Sequence, residues 1–270
     1  MGYFDSIKNN LSLTVKEKKN AFDEQLRENK QKIYPHVVLT ILNAIGCSKL
    51  ELARRLGVSA ADITRITTES FRMSPNTLIR LCALVFNMSC HTFLFGEPSM
   101  TILPASLKLV CKTVDGWSGF WKHECLNKLK YIKELNKEFS GQYAPTTEDI
   151  FTERILEIAS DKYCPPEDFL GKEVCAATKA PIRNYLNGTV TTVSIGTIMF
   201  IAMLANNSVD YFLLQDYTKY GTVGYLEGDK VVMVSNRLTI KIISELLQMP
   251  PYLRSNCIGH ILSMDMSETH

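Results

Sequence analysis

From Ser48 to Phe95 apolar residues recur at three- and four-residue spacing between residues that start or stop helices, which predicts a run of short helices. Ser48-Lys49-Leu50-Glu51 has the form of a capping box, in which the serine hydroxyl accepts the amide three residues on and the glutamate reaches back. Leu52, Ala53 and Leu56 then share one helical face, and Gly57 is free to take a left-handed turn. Ser59 offers the next N-cap, with Asp62 in the first turn, where the helix dipole favours an anion. Ile63 and Ile66 face inward, leaving Ala60, Ala61, Thr64, Arg65 and Thr68 exposed. Ser74-Pro75 opens a further helix with proline at its first position, whose inner face keeps Ala83 and Phe86, and Ser89 caps a short helix closing at Phe93, Leu94 and Gly96. With an apolar helix from Val37 to Ile45 ahead of them, these elements make a five-helix domain over residues 35–97.

A second stretch, Thr147 to Leu214, repeats the first. Ile182, Tyr185, Ala202, Ser208 and Phe212 follow Ile63, Ile66, Ala83, Ser89 and Phe93 by a constant 119 positions, which argues for an internal repeat. Upstream the offset is 118, with Leu170 matching Leu52 and Val174 matching Leu56, so one residue is inserted in the turn at Cys175-Ala176-Ala177. Thr178 is placed as the N-cap of the helix that follows, with Pro181 among the first amides that lack intrahelical partners. This helix exposes Lys179, Arg183, Asn184 and Asn187.

The patterning divides the rest into a charged N-terminal helical segment (1–34), a helical connector (98–146), the second copy (147–217) and a C-terminal segment (218–270). The N-terminal segment has seven basic and five acidic residues and reads as a solvated helix or as a basic arm on phosphates. A long helix from Trp117 to Phe139 carries an apolar stripe of Trp121, Leu126, Leu129, Ile132 and Leu135 that must pack on something, and a set of lysines that face solvent or DNA. Thr222–Leu226 and Lys230–Val234 are β-prone runs around Glu227-Gly228-Asp229, a hairpin signal. Helices over Asn236–Leu247 and Tyr252–Met264 follow, and their apolar residues either close a core or form a dimer contact, with dimerisation favoured.

The Ser48–Phe95 stretch resembles the helix-turn-helix domain of the Cro and lambda-repressor type, the family also called XRE, through Leu52-Ala53, Leu56-Gly57-Val58-Ser59, Ile63, Ile66 and the later Asn87-Met88-Ser89. Ile182-Arg183-Asn184-Tyr185-Leu186-Asn187-Gly188 resembles the close of that family's recognition helix. The fold the resemblance implies is mainly α: two five-helix helix-turn-helix domains joined by a helical connector, with a short β-hairpin and helices at the C-terminus. In that family the second helix of the pair enters the major groove of double-stranded DNA. The resemblance therefore implies a DNA-binding transcription regulator, a repressor by family analogy, with Lys49, Ser59, Ala60, Thr64, Arg65 and Thr68 of the first copy and Thr178, Lys179, Arg183, Asn184 and Asn187 of the second at the DNA. Arginine can read guanine and asparagine adenine, Lys49 serves a phosphate or a base, the Ser59 and Thr64 hydroxyls serve phosphates, and Ala60 and Ala61 meet only a thymine methyl. Arg65 is equally placed to pair with Asp62 or Glu69.

Composition is that of a globular chain, 46% apolar and 21% charged, and the net charge of +2 confines any basic footprint to a local surface. The first copy holds six basic and four acidic residues, but 149–217 holds five against nine, so the alternative is a protein-interaction module on the same fold, acting as antitoxin, co-regulator or inhibitor. Eight cysteines include no C-x-x-C pair and read as core residues of a reducing compartment, without a metal site. Met1 to Asn20 lacks a continuous apolar core, and the run Ile198–Ala205 is far short of the roughly 20 residues that span a bilayer. A cytoplasmic location with no membrane partner is expected. No glycine-rich phosphate loop, G-x-S-x-G or metal spacing occurs, so neither an enzyme nor a cofactor is expected.

Overall fold

The computed structural model describes residues 17, 20, 34–68, 73–168 and 176–264. In chain order its first elements are α1 (Tyr34–Ala44), α2 (Lys49–Leu56), α3 (Ala60–Thr68), α4 (Pro75–Arg80) running into a π-helical turn (Leu81–Phe86), and α5 (Cys90–Phe95). Then come β1 (Met100–Ile102), α6 (Ala105–Asp115), α7 (Gly119–Ser140) and α8 (Thr147–Asp161). After them lie α9 (Ala176–Leu186), α10 (Ile195–Ala205), α11 (Val209–Leu213), β2 (Thr222–Glu227), β3 (Lys230–Met233), α12 (Arg237–Leu247) and α13 (Pro251–Ser263). The described chain is mainly helical, with one small three-stranded sheet. The charged N-terminal segment, apart from residues 17, 20 and 34, and the Leu170 and Val174 matches of the second copy lie outside the described residues.

The chain forms two compact units, each assembled from two stretches. Unit 1 gathers Met1–Glu97 with Glu167–Val209, and unit 2 gathers Pro98–Pro166 with Asp210–His270. The segment 147–217 is thereby distributed over both units: α8 and the residues from Asp210 on belong to unit 2, whereas α9 and α10 belong to unit 1.

In unit 1, Leu52, Leu56 and Ile63 are fully buried where α2, α3 and α1 meet. Ser48 Oγ accepts the Glu51 amide at 3.1 Å, but the Glu51 carboxylate takes Arg55 Nε at 3.0 Å, so the capping box expected at Ser48 is only half formed. The reciprocal cap occurs one helix later, where Ser59 Oγ accepts the Asp62 amide at 3.1 Å and Asp62 Oδ2 accepts the Ser59 amide at 3.3 Å. Gly57 ends α2 at φ +63°, and Arg80 donates from Nη1 to the Leu56 carbonyl at 2.9 Å, covering the exposed end of that helix.

The repeat is visible in backbone detail. Ser74 and Ser194 cap α4 and α10, accepting the Thr77 and Thr197 amides, and Asn87 and Asn206 end the two helical runs in the left-handed region at φ 48° and 57°. The first copy has one residue more between serine and asparagine, and the π-helical turn takes it up. The offset is therefore 120 at the capping serines and 119 again at the asparagines. The two stretches of unit 1 meet at His91 Nδ1, which accepts the Val209 amide at 3.4 Å, and around Ile195, which shares an apolar pocket with Val38, Ile66, Leu78 and Phe93.

The second copy departs from expectation at its helix start. α9 begins at Ala176, so Thr178 lies within its first turn and is not the N-cap. Pro181 is consequently the sixth helical residue, beyond the four amides that lack intrahelical partners, and its ring removes one hydrogen bond from the helix.

In unit 2, α7 and α12 pack along each other, and α6 packs on α12 and α13. The long helix is therefore a core element of this unit. Ile242, Ile243, Leu246 and Leu247 of α12 are fully buried in the same unit, so the apolar face considered for dimerisation is used to close a core. The hairpin gains a partner that the sequence pattern did not indicate: β1 runs parallel to β2, pairing Met100 with Thr222 and Ile102 with Gly224, while β2 and β3 are antiparallel around Gly228 at φ +59°. Lys108 and Lys112 lie 5.9 and 5.8 Å from the centre of the Tyr225 ring.

Gly221 marks where β1 and β2 come together. A Cβ there would lie 2.6 Å from the Ser99 carbonyl oxygen, which accepts the Thr222 amide at 2.9 Å. Gly221→Ala is expected to destabilise the protein by about 1–3 kcal/mol in urea denaturation, and an unchanged midpoint would show that the strand junction can shift.

The interior of unit 2 also holds an ionic cluster. The Arg154 side chain is 1% exposed, pairs with Glu153 at 3.1 Å and Glu157 at 3.0 Å, and donates to the Tyr211 and Gln215 carbonyls at 3.2 Å each. Its guanidinium carbon stands 5.2 and 5.0 Å from the Tyr211 and Tyr217 ring centres. Arg254 pairs with Glu153 from the other side and donates to the carbonyls of Leu246, Leu247 and Met249. Among the described residues the cysteines are free thiols, and burial pushes Cys111 up to about 12 and Cys125 up to about 11, which keeps both protonated.

Candidate nucleic-acid interface

The local chemistry of α3 decides what its outer face offers. Ile63 and Ile66 are buried and Ala60, Ala61, Thr64, Arg65 and Thr68 are exposed, together with Ser59 at its start and Lys49 at the start of α2. The hydroxyls, however, are committed within the chain. Ser59 donates to Asp62 Oδ2 at 2.7 Å, Thr64 to the Ala60 carbonyl at 3.0 Å and Thr68 to the Thr64 carbonyl at 2.6 Å. The Ser59 and Thr64 hydroxyls, expected to serve phosphates, are thus already bonded within the chain.

Arg65 pairs with Asp62, three residues back, at 3.4 Å, with both side chains substantially exposed. Its other expected partner, Glu69, is outside the described residues. The Ser59 hydroxyl and amide, with a smaller contribution from Arg65, hold Asp62 below its ordinary pKa, so this face keeps a carboxylate beside its arginine. An exposed pair of this kind is weak and salt-screened, and Arg65 can leave it for a stronger anion.

Lys49 and Arg54 are exposed and have no ion-pair partner among the described residues. The sequence already separates Arg54 from Arg55: only Arg55 has a glutamate four residues before it, and the structure shows that pair formed.

In α9 the same positions are used in the same way. Ile182 and Tyr185 are buried, as Ile63 and Ile66 are, and Arg183 and Asn184 are exposed at the positions of Thr64 and Arg65. Asn187 is exposed just past the helix end at Leu186, and its amide bonds the Arg183 carbonyl. Arg183 has no ion-pair partner among the described residues. Thr178 and Lys179 lie in the first turn of α9 by their backbone; their side chains lie outside what is described.

The unit boundaries redistribute charge. Unit 1 contains 16 basic and 12 acidic residues, and unit 2 contains 14 and 16. The acidic balance of 149–217 came largely from Asp149, Glu153, Glu157 and Asp161, which belong to α8 in unit 2. Both α3 and α9 therefore sit in the unit with the basic excess.

Comparison of the chain with protein-family models, with curated proteins and with solved structures gives no match. No described helix is long and apolar enough to cross a membrane.

Proposed function

We propose that this protein is a DNA-binding transcription regulator, a repressor by analogy with the Cro and lambda-repressor type, which contacts duplex DNA through α3 and α9. The observation that carries the reading is the repeated pattern on the two helices, which bury Ile63 and Ile66 or Ile182 and Tyr185 and leave the intervening positions to solvent, beside the cations Lys49, Arg54 and Arg183, which have no ion-pair partner among the described residues. Arg183 and Asn184 are suited to bidentate contact with guanine and adenine edges, and Lys49 and Arg54 to phosphates. Two such helices in one chain, or in a homodimer, suit half-sites about 34 Å apart.

The test is selection from a random duplex pool at two salt concentrations, followed by variants. Arg183→Ala and Asn184→Ala are expected to relax discrimination at single base positions by about 1–3 kcal/mol each, whereas Lys49→Ala weakens binding to all sequences alike and lowers the salt slope by about 1. No enriched sequence, or variants that bind as the parent does, would overturn the assignment.

A second reading is favoured by the α3 face itself. With Ser59, Thr64 and Thr68 internally bonded, Asp62 ionised and Ala60 and Ala61 exposed, that face is short of free donors and fits a protein partner better than a groove. In that case selection returns no motif, and the chain acts as an antitoxin, co-regulator or inhibitor.

A further inference from the structure

The sheet of unit 2 has the order β1-β2-β3, and its two faces differ. Val223 and Tyr225 of β2 are buried on one face, with Lys108 and Lys112 of α6 over the Tyr225 ring. On the other face the alternate residues stand together, because Leu226 lies opposite Val231, Gly224 opposite Met233, and Met100 beside Thr222. Met100, Leu226, Val231 and Met233 are each between 39% and 44% exposed there, and Gly224 adds no side chain among them. This face is apolar and open to solvent.

It continues into an open edge, β3. Val234 donates its amide to the Val223 carbonyl at 2.9 Å, and successive strand residues turn to opposite sides, so the amides and carbonyls of Val231 and Met233 face away from β2. Those groups have no hydrogen-bond partner among the described residues. Natural edges are commonly blunted by proline, a bulge or a charge within the strand. β3 has no proline, its register with β2 is unbroken from Lys230 to Met233, and its charge, Lys230, stands at its start. The protection it keeps is its length of four residues.

We propose that β3 pairs antiparallel with β3 of a second copy of this chain, about a two-fold axis at Val232, joining the two sheets into one of six strands. Val231 then exchanges backbone hydrogen bonds with the partner's Met233, and Met233 with the partner's Val231, which uses the outward amides and carbonyls of both residues. The side chains make the edge its own complement: apolar residues of the outer face meet apolar residues, and the two copies of Lys230 stand at opposite ends, each across from the partner's Val234. Moving the axis to Val231 would set Met233 against the partner's Asp229, and moving it to Met233 would set Val231 against the partner's Ser235. A contact of this size belongs to the weak, reversible class. The surface uses residues of unit 2 alone and stands independently of any role for α3 and α9.

Sedimentation velocity of the full chain from about 1 to about 500 μM is the test. Monomer is expected to pass to dimer as concentration rises, with no larger species, since a two-fold contact closes on itself. Val231→Pro removes an amide that β2 does not use, and Met233→Lys puts a charge into each apolar pair; each should weaken association about tenfold or more. Met233→Leu should associate as the parent does. Met233 is 44% exposed, so its variants keep the fold, which far-UV circular dichroism checks. Monomer at every concentration, growth beyond dimer, or association unchanged in Val231→Pro or in Met233→Lys would overturn the proposal.

Discussion

Arg154→Met is expected to cost about 3–5 kcal/mol of stability, because it removes one member of a buried ionic cluster and leaves the others behind. Glu153 and Glu157, 20% and 18% exposed in their side chains, would keep their charge with less compensation, and the Tyr211 and Gln215 carbonyls would lose their buried donor. Burial opposes the charged guanidinium, yet Glu157, the two phenols and Glu153 outweigh it and hold Arg154 above its ordinary pKa. Tyr211 is pushed up by its own burial first and by Glu157 second, so its hydroxyl donates to Glu157 Oε2 at 2.8 Å. Arg154→Lys should recover little, since an ammonium cannot reach two carboxylates, two carbonyls and two ring faces at once. Urea denaturation followed by far-UV circular dichroism reads the effect. A loss under about 1 kcal/mol would mean that water enters and solvates the remaining carboxylates, and that the cluster is not a keystone of unit 2.

Leu246→Ala should cost about 2–5 kcal/mol, the range for emptying a fully enclosed leucine site. The dependence on protein concentration carries the second half of the prediction. Leu246 lies with Ile242, Ile243 and Leu247 inside the contact of α12 with α7 and α6, so the loss should be the same at protein concentrations about tenfold apart. Had α12 been the subunit contact that its sequence suggests, the midpoint would move with concentration and the variant would abolish that movement. Such a concentration dependence, removed by Leu246→Ala, would return α12 to an interface.

The candidate interface was legible where it depends on local order. Gly57 ends α2, Ser59 caps α3, and the inward pairs Ile63 with Ile66 and Ile182 with Tyr185 lie where helical spacing puts them, because caps and faces involve partners three or four residues apart. The hydroxyls were less legible. Ser59 and Thr64 looked like donors to phosphate, but each has an acceptor within one helical turn, and that local bond requires no further ordering of the backbone. Ser48 misled for a related reason: its glutamate had two candidate partners, the Ser48 amide and the Arg55 guanidinium, and the charged one took it.

By itself the sequence determined the helical character of the chain and the inward pairs Ile63 with Ile66 and Ile182 with Tyr185, since these follow from the period of the apolar positions and from residues that permit or forbid a turn. Only the tertiary structure decided which helices share a core. It set α8 apart from α9, made α7 and α12 partners, and gave the hairpin its third strand from three residues that pair with a stretch 122 positions away. An amphipathic face states that it must be covered and carries no record of what covers it. Contacts of that range are fixed by the competition among all such faces for one another, and that competition is settled only when the whole chain has folded.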